Sequence, residues 1–309
     1  MAEKVLIFGH KNPDTDSITS SIVMADLETK LGNDVEACCL GKPNKETEYV
    51  LNYLGISAPR ILSENEVPDG AKVILVDHNN PEETITNIDN VNILKIIDHH
   101  CIIIRTAYPL YYRAEPVGCT ETILYKMYKE NGIEIDKKIA ILMMSAIISD
   151  TLLLKSPTCT EQDVKAVNEL ANIAGINYEQ YGLEMLKAGT DLSSFSIEEI
   201  LSLDAKQTSL KEVKTIINQV NTASIPEVMT KKAELEAGMN KIIEEKGLDL
   251  FMLLITDIVN SNSQVIALGK DANLVEKAYG VKLENNTALL KGIVSRKKQV
   301  IPIMTENAS

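Results

Sequence analysis

Short apolar runs that stop abruptly at acidic or imidazole residues constrain this chain more than any other feature. Val5 to Gly9 runs into His10-Lys11-Asn12-Pro13-Asp14-Thr15-Asp16, Val73 to Val76 into Asp77-His78, and Ile93 to Ile97 into Asp98-His99-His100. Continuous apolar stretches of this length read as buried strands. The segments between them read as helices: Ser17 is expected to cap one that reaches Leu31 and ends at Gly32, and Glu46 to Leu54 forms another after a strand at Val35 to Leu40. Buried strands alternating with helices require a parallel sheet covered on both faces. Ligands bind such sheets beyond the carboxyl ends of the strands, where the polar residues just named would gather.

With 309 residues the chain is long enough for two folded domains. An apolar helix over Ile139 to Ile148 runs into Ser149-Asp150 and would push Asp150 toward the same rim. Helices over Glu161 to Ala174 and Tyr178 to Lys187 follow, and Ala188-Gly189-Thr190-Asp191-Leu192-Ser193-Ser194 reads as a linker. This predicts an α/β protein with an N-terminal domain over 1–188, a hinge linker over 189–194 and a smaller, mixed α/β C-terminal domain over 195–309. The C-terminal pattern is a helix through Leu203, a strand at Val213 to Val220, a long helix from Met229 to Lys246, and strands at Leu250 to Ile258 and Gln264 to Leu268. From Lys291 to Met304 a basic triplet, Arg296-Lys297-Lys298, stands between two apolar stretches read as strands.

A net charge of −13 excludes the broad basic surface that nucleic-acid binding needs, but it permits a small anion held by metal ions. Met1-Ala2-Glu3-Lys4 leads directly into the first strand and no long apolar run occurs, so neither a leader nor a membrane span is expected, and the location is read as cytoplasmic. The five cysteines form no CxxC pair and suit a reducing compartment. They read as small buried side chains, with Cys119 at a helix start, where the dipole favours a thiolate, as the one candidate for chemistry.

All four histidines of the chain lie in these rim segments beside aspartates. Asp14 and Asp16, two apart after His10, let one loop offer an imidazole and two carboxylates to ions on its two sides. Singly either aspartate reads as a turn or cap residue; together with the imidazoles and the other acidic strand ends they read as a metal cluster. Paired divalent ions about 3.5–4 Å apart need shared anionic ligands and generate a bridging hydroxide, which is a hydrolase layout. Imidazole among carboxylates favours manganese or cobalt over magnesium.

Gly9 to Asp16, Val76-Asp77-His78-Asn79, Asp98-His99-His100 and Ser149-Asp150 resemble the motifs of the Asp-His-His phosphoesterase superfamily. Within it, Ser202-Leu203-Asp204-Ala205-Lys206 and Ser295-Arg296-Lys297-Lys298-Gln299 are similar to the second-domain motifs of family II, manganese-dependent inorganic pyrophosphatases. The resemblance implies two Mn²⁺ per subunit, with Co²⁺ or Mg²⁺ as alternatives and further Mg²⁺ accompanying the substrate. It implies His10, Asp14, Asp77 and Asp150 on one ion and Asp16, Asp77, His99 and Asp150 on the other, with Asp77 and Asp150 bridging. His100, Lys206, Arg296 and Lys297 would be catalytic and bind phosphate, Lys298 being left open, and His78 and Asp98 would orient the ligands.

The implied activity is hydrolysis of inorganic pyrophosphate to two orthophosphates in a cleft between the domains, closed by the hinge, in a homodimer. The alternatives are an exopolyphosphatase or a short-oligonucleotide phosphodiesterase of the same superfamily, or a non-catalytic phosphate sensor. The nucleotide-cleaving relatives carry a glycine- and histidine-rich motif in the second domain, whereas no histidine follows His100 here.

Overall fold

The computed structural model describes residues 4–63, 66–190, 192 and 195–308. Two compact units divide the chain, one up to Ala188 and one from Gly189.

The first unit contains β1 (Val5–Phe8), α1 (Thr15–Lys30), β2 (Val35–Cys39), α2 (Lys45–Leu54), β3 (Arg60–Ile61), β4 (Lys72–Val76), β5 (Asn92–Asp98), β6 (Tyr111–Ala114), α3 (Thr120–Glu130), α4 (Lys137–Asp150), α5 (Glu161–Ala174) and α6 (Tyr178–Gly189). The strands form one sheet in the order β3-β2-β1-β4-β5-β6, every neighbouring pair parallel. The chain leaves β1 for β2 on one side while β4 pairs on the other, so the carboxyl ends of β1 and β4 flank the point where the strand order reverses. His10 follows β1 there and Asp77 follows β4, the position where open parallel sheets place their ligands.

Helices α1, α3 and α4 pack together, and α1 also packs on β1, β2 and β4. Along α4 every residue from Ile139 to Ile148 is buried, as a helix apolar all round must be, and each large side chain fully removed from water contributes about 1.5–3 kcal/mol. Between β4 and β5 the chain makes only short helical turns at Pro81–Glu83 and Ile88–Asn90. Ile85, Ile88 and Val91 from this crossover join Leu62 and Val67 in a core with Phe8, Val73 and Leu75. Loop side chains thus cover these strand residues.

The second unit contains α7 (Ile197–Ser202), β7 (Ala205–Leu210), β8 (Val213–Thr222), α8 (Ile225–Met229), α9 (Lys232–Lys246), β9 (Leu250–Asp257), β10 (Asn262–Leu268), α10 (Leu274–Tyr279), β11 (Thr287–Lys291) and α11 (Ile301–Asn307). Its sheet, in the order β11-β10-β9-β8-β7, is antiparallel except for the parallel pair β8 and β9. Two apolar clusters pack against it: Phe251, Leu253 and Ile255 alternate into one, and Leu250, Met252 and Leu254 into the other.

Several sequence expectations need correction. Helix α1 begins at Thr15 with Asp14 as its cap, whose carboxylate accepts the amide hydrogen of Ser17 at 2.9 Å, while its end is as expected, with Leu31 as the last cap and Gly32, at φ of 89°, donating to the Thr29 carbonyl. The helix expected from about Met229 to Lys246 begins at Lys232 as α9, and a separate short helix, α8, precedes it and ends at Met229. The basic triplet is not flanked by two strands: Arg296–Val300 is a π-helical turn that runs into α11. Within the expected linker, α6 continues to Gly189, while Asp191, Ser193 and Ser194 lie outside the described residues. Cys101 is exposed rather than buried, and Cys119 is the buried cap of α3. Among the described residues no helix is long and apolar enough to cross a membrane.

Candidate metal centre

Gly9, after β1, lets the chain lie close to α1: a Cβ there would fall 2.0 Å from the Ser17 hydroxyl and 2.8 Å from the Ser17 carbonyl. This contact presses the His10 loop against the first turn of α1, which carries Asp14 and Asp16. Each strand or helix end then adds its group: Asp77 from β4, His99 and His100 from β5, Asp150 from the last turn of α4. Asp77 adopts a left-handed backbone with φ of 59°, a conformation that a non-glycine residue holds only when its surroundings fix it.

The two imidazoles are oriented alike. Nδ1 of His10 donates to the Lys11 carbonyl at 2.7 Å, and Nδ1 of His99 donates to the Val117 carbonyl at 3.1 Å. A carbonyl only accepts, so Nδ1 of each carries a proton, and Nε2 is the atom each would present to a metal that displaces any proton there. Nε2 of His10 stands 3.4 Å from Oδ2 of Asp77 and 3.5 Å from Oδ2 of Asp14. Nε2 of His99 stands 3.5 Å from Oδ1 of Asp77 and 3.7 Å from Asp150. The two oxygens of Asp77 therefore face different imidazoles, so that this one carboxylate could serve an ion beside each of them.

Asp16 is fully buried and accepts from the Ser20 hydroxyl at 2.8 Å and the Thr120 amide at 2.7 Å. The Thr120 hydroxyl donates to Asp77 at 3.2 Å. Donor atoms able to share an ion come together in three groups: His10 with Asp14 and Asp77, Asp77 with His99 and His100, and Asp16 with Cys119 and Asp150.

Burial and the Asp77 charge push the Asp16 carboxyl up to about 7, and burial with Asp16 and Asp14 holds Asp150 well above the usual range. Burial opposes the charge of Asp77, yet hydrogen bonds from His10 and His99 outweigh it and hold that carboxyl well below normal. At His10, burial is overcome by Asp14 and Asp77, which raise the imidazole well above its ordinary value. Buried acids that resist ionisation, beside an imidazole that recruits a proton, are a group short of positive charge. Divalent cations supply that charge, and the donor set of carboxylates with imidazole fits manganese.

His100 has a different setting. Its Nδ1 and its amide both donate to Oδ1 of Asp98, at 2.9 and 3.0 Å, which leaves Nε2 for another partner. Asp98 is fully buried and is itself held by Asn79 at 2.6 Å. His78 donates from Nδ1 to the Val76 carbonyl at 2.9 Å, and burial lowers its pKa to about 4, so it remains neutral. Cys119, far from being activated by the helix end, is pushed well above the ordinary thiol range by burial and by Asp16 and Asp150.

The sequence reading did not foresee Thr120 or Glu46, whose Oε1 accepts from the Thr15 hydroxyl at 2.9 Å and from the Ser149 hydroxyl. Glu46 so joins the start of α1 to the end of α4. Nothing in Asn44-Lys45-Glu46 distinguishes it from an ordinary first helical turn; Thr120 could have been suspected only from its place after Gly118-Cys119.

In the second unit, Lys206 on β7 registers against Ile217 of β8. Arg296 donates to the Ile217 carbonyl at 3.3 Å, to the Asp204 carbonyl, and to the Asp204 carboxylate at 2.8 Å. The turn that carries it is fixed by Gln299, which accepts from Val294 and Ser295, and by Gln219, which accepts from the Arg296 amide at 3.0 Å. The Arg296 side chain is thus held against the pair of strands that carries Lys206, although the two residues are distant in sequence. Lys297 and Lys298 are exposed on the same turn.

Residues 4–147 match the DHH family N-terminal domain and residues 183–307 match the DHHA2 domain. The chain is 58% identical over 307 residues to the manganese-dependent inorganic pyrophosphatase of Bacillus subtilis (strain 168), covering 98% of each chain. A probable manganese-dependent inorganic pyrophosphatase of Bacillus velezensis is likewise 58% identical, again over 98% of both. Among solved structures, a putative family II inorganic pyrophosphatase of Methanococcus jannaschii matches with a TM-score of 0.81 at 38% identity, over 97% of this chain and 98% of that one. A match of this depth across both domains makes the chain a member of the DHH family and, within it, of the family II, manganese-dependent inorganic pyrophosphatases.

Proposed function

We propose that the chain hydrolyses inorganic pyrophosphate to two orthophosphates at a dinuclear manganese centre. The observation that carries this reading is the pair of imidazoles whose Nε2 atoms face separate oxygens of Asp77. His10, Asp14, Asp77 and Asp150 would hold one ion and Asp16, Asp77, His99 and Asp150 the other. When bound, the ions supply positive charge for the phosphate oxygens and lower the pKa of a water toward neutrality.

The protein's own groups do the rest. His100, with Nδ1 fixed by Asp98, directs Nε2 to a phosphate oxygen, and Asp98 and His78 act behind the ligands. Lys206, Arg296 and Lys297 bind the phosphates; Arg296 offers a planar fork to two oxygens, while the lysines act as point charges. Asp204 occupies one edge of that fork and aligns the remaining donors.

A homodimer is part of the same reading, supported by β6, an edge strand with Tyr111 exposed and Ile102, Ile103 and Tyr108 exposed in the chain before it. A cytoplasmic location is supported by five cysteines that are all free.

The test is phosphate release with Mn²⁺ from pyrophosphate, tripolyphosphate and a dinucleotide in parallel. Rapid turnover of pyrophosphate alone is expected. Preference for tripolyphosphate would make the chain an exopolyphosphatase, preference for the dinucleotide a phosphodiesterase, and no turnover a phosphate sensor.

A further inference from the structure

The segment from Val117 to Thr122, which leads into the first turn of α3, touches three of the proposed ligands at once. Its Val117 carbonyl fixes His99 at 3.1 Å, the Thr120 amide fixes Asp16 at 2.7 Å, and the Thr120 hydroxyl fixes Asp77 at 3.2 Å. Any displacement of this loop moves an imidazole and two carboxylates together.

One fully buried carboxylate, Asp163 in the first turn of α5, ties the loop down. Its Oδ2 accepts from the Gly118 amide at 2.9 Å, and its Oδ1 accepts from the Thr122 hydroxyl at 2.6 Å. Oδ2 also accepts from the amide and hydroxyl of Thr160, both at 2.7 Å, which closes the cap of α5. The approach is tight: a Cβ on Gly118 would lie 2.9 Å from Oδ2 and 2.7 Å from the Thr151 methyl. Capping α5 requires only the Thr160 bonds. The Gly118 and Thr122 bonds reach 45 and 41 residues back in sequence and serve the loop instead.

We propose that Asp163 is a positioning residue of the metal centre, which acts on Asp16, Asp77 and His99 through the 117–122 loop. The inference rests on the reading that those three residues hold the ions. Its physical basis is that the partners of a metal's ligands set ligand orientation, and removing them weakens affinity by about 10–100-fold. Hydrogen bonding rather than charge is the agent. An asparagine can accept from Gly118 and both Thr160 groups with its carbonyl oxygen, and its amide can donate to the Thr122 hydroxyl, so Asp163→Asn preserves the tie.

The experiment titrates Mn²⁺ into the chelator-stripped full chain by calorimetry and by the electron paramagnetic resonance signal of free Mn²⁺, with melting temperatures in parallel. Asp163→Ala is expected to bind Mn²⁺ at least about tenfold more weakly, and Asp163→Asn to stay within roughly threefold of the parent. Thr160→Ala, which loosens only the cap of α5, lowers the melting temperature and leaves Mn²⁺ affinity unchanged. Should Asp163→Ala not fold, Thr122→Val carries the test, because it keeps the cap and cuts the tie to α3; weakened Mn²⁺ binding is expected there too. Parental affinity in the folded Asp163→Ala, or in Thr122→Val where Asp163→Ala does not fold, overturns the proposal, as does an equal loss in Thr160→Ala, which would mark general loosening. Absence of Mn²⁺ binding by the parent chain overturns the metal-centre reading and the clamp with it, whereas parental binding with unaffected variants removes the clamp alone.

Discussion

Adding a single methyl group at Gly9 tests how the metal loop is held. The new Cβ would meet the Ser17 hydroxyl at 2.0 Å, its Cβ at 2.8 Å and its carbonyl oxygen at 2.8 Å, against an ordinary contact of 3.4 Å or more. Rotating the hydroxyl relieves the first clash but not the other two. The backbone of β1 and the first turn of α1 must therefore separate by about 0.6 Å, the shortfall from 2.8 to 3.4 Å. Overpacking of this kind costs about 1–3 kcal/mol, which in a unit of this size lowers the melting temperature by roughly 2–12 °C. The same shift carries Asp14 and Asp16 away from His10, and a displacement near 1 Å slows catalysis by up to about 100-fold, so a loss of roughly tenfold is expected. Calorimetric melting with Mn²⁺ titration and phosphate release form the assay. Pairing Gly9→Ala with Ser17→Gly removes two of the three contacts and should recover part of each loss. Parental melting, Mn²⁺ affinity and turnover in Gly9→Ala would refute the reasoning that close approach at this residue sets the site.

Other expectations follow from the same geometry. Replacing His10 or His99 by Ala should weaken Mn²⁺ binding in a titration, whereas His100→Ala should keep both ions and lower kcat by about 10²-fold or more, as loss of a donor to a transition-state oxygen does. Arg296→Ala should leave metal content intact while raising KM and lowering kcat for pyrophosphate, and Asp204→Ala should show a weaker form of the same defect; loss of metal from either would mean the second unit's basic group has another role. In the chelated protein, Asp16 gains its proton at about 7, well above the value near 4 that it has when unfolded. The unfolded chain therefore binds fewer protons between those values, so the stabilisation from a protonated Asp16 is complete below about pH 4 and lost as pH rises through about 7. Asp150 and His10, both raised, act in the same direction, and Asp77, held low, loses its contribution only in stronger acid. The metal-free melting temperature should thus fall from pH 5 to pH 8 and Mn²⁺ should abolish the fall; a metal-free melting temperature that rises over this range would refute it.

Much of this protein is legible in its residues before any folding is considered. Short apolar runs can be satisfied only as buried parallel strands, and such strands end at one rim, so the residues following Phe8, Val76 and Ile97 were bound to converge. The motif residues and their chemistry could be read from the sequence, and the family followed from the resemblance of those motifs. What spacing could not supply was the hydrogen-bonded frame. Whether Nδ1 or Nε2 of His10 and His99 faces the acids depends on carbonyls of Lys11 and Val117, and backbone carbonyls leave no mark in a sequence. Thr120, Glu46 and Asp163 look like ordinary first-turn helix residues, because local capping and long-range ties use the same side chains. The turn at Arg296 was misread as a link between strands because its shape is imposed by Gln219 and Gln299, one of them far away in the chain. Strand ends are fixed by local hydrophobic pattern, whereas the orientation of each ligand is fixed by partners up to 104 residues distant, which only the folded chain brings together.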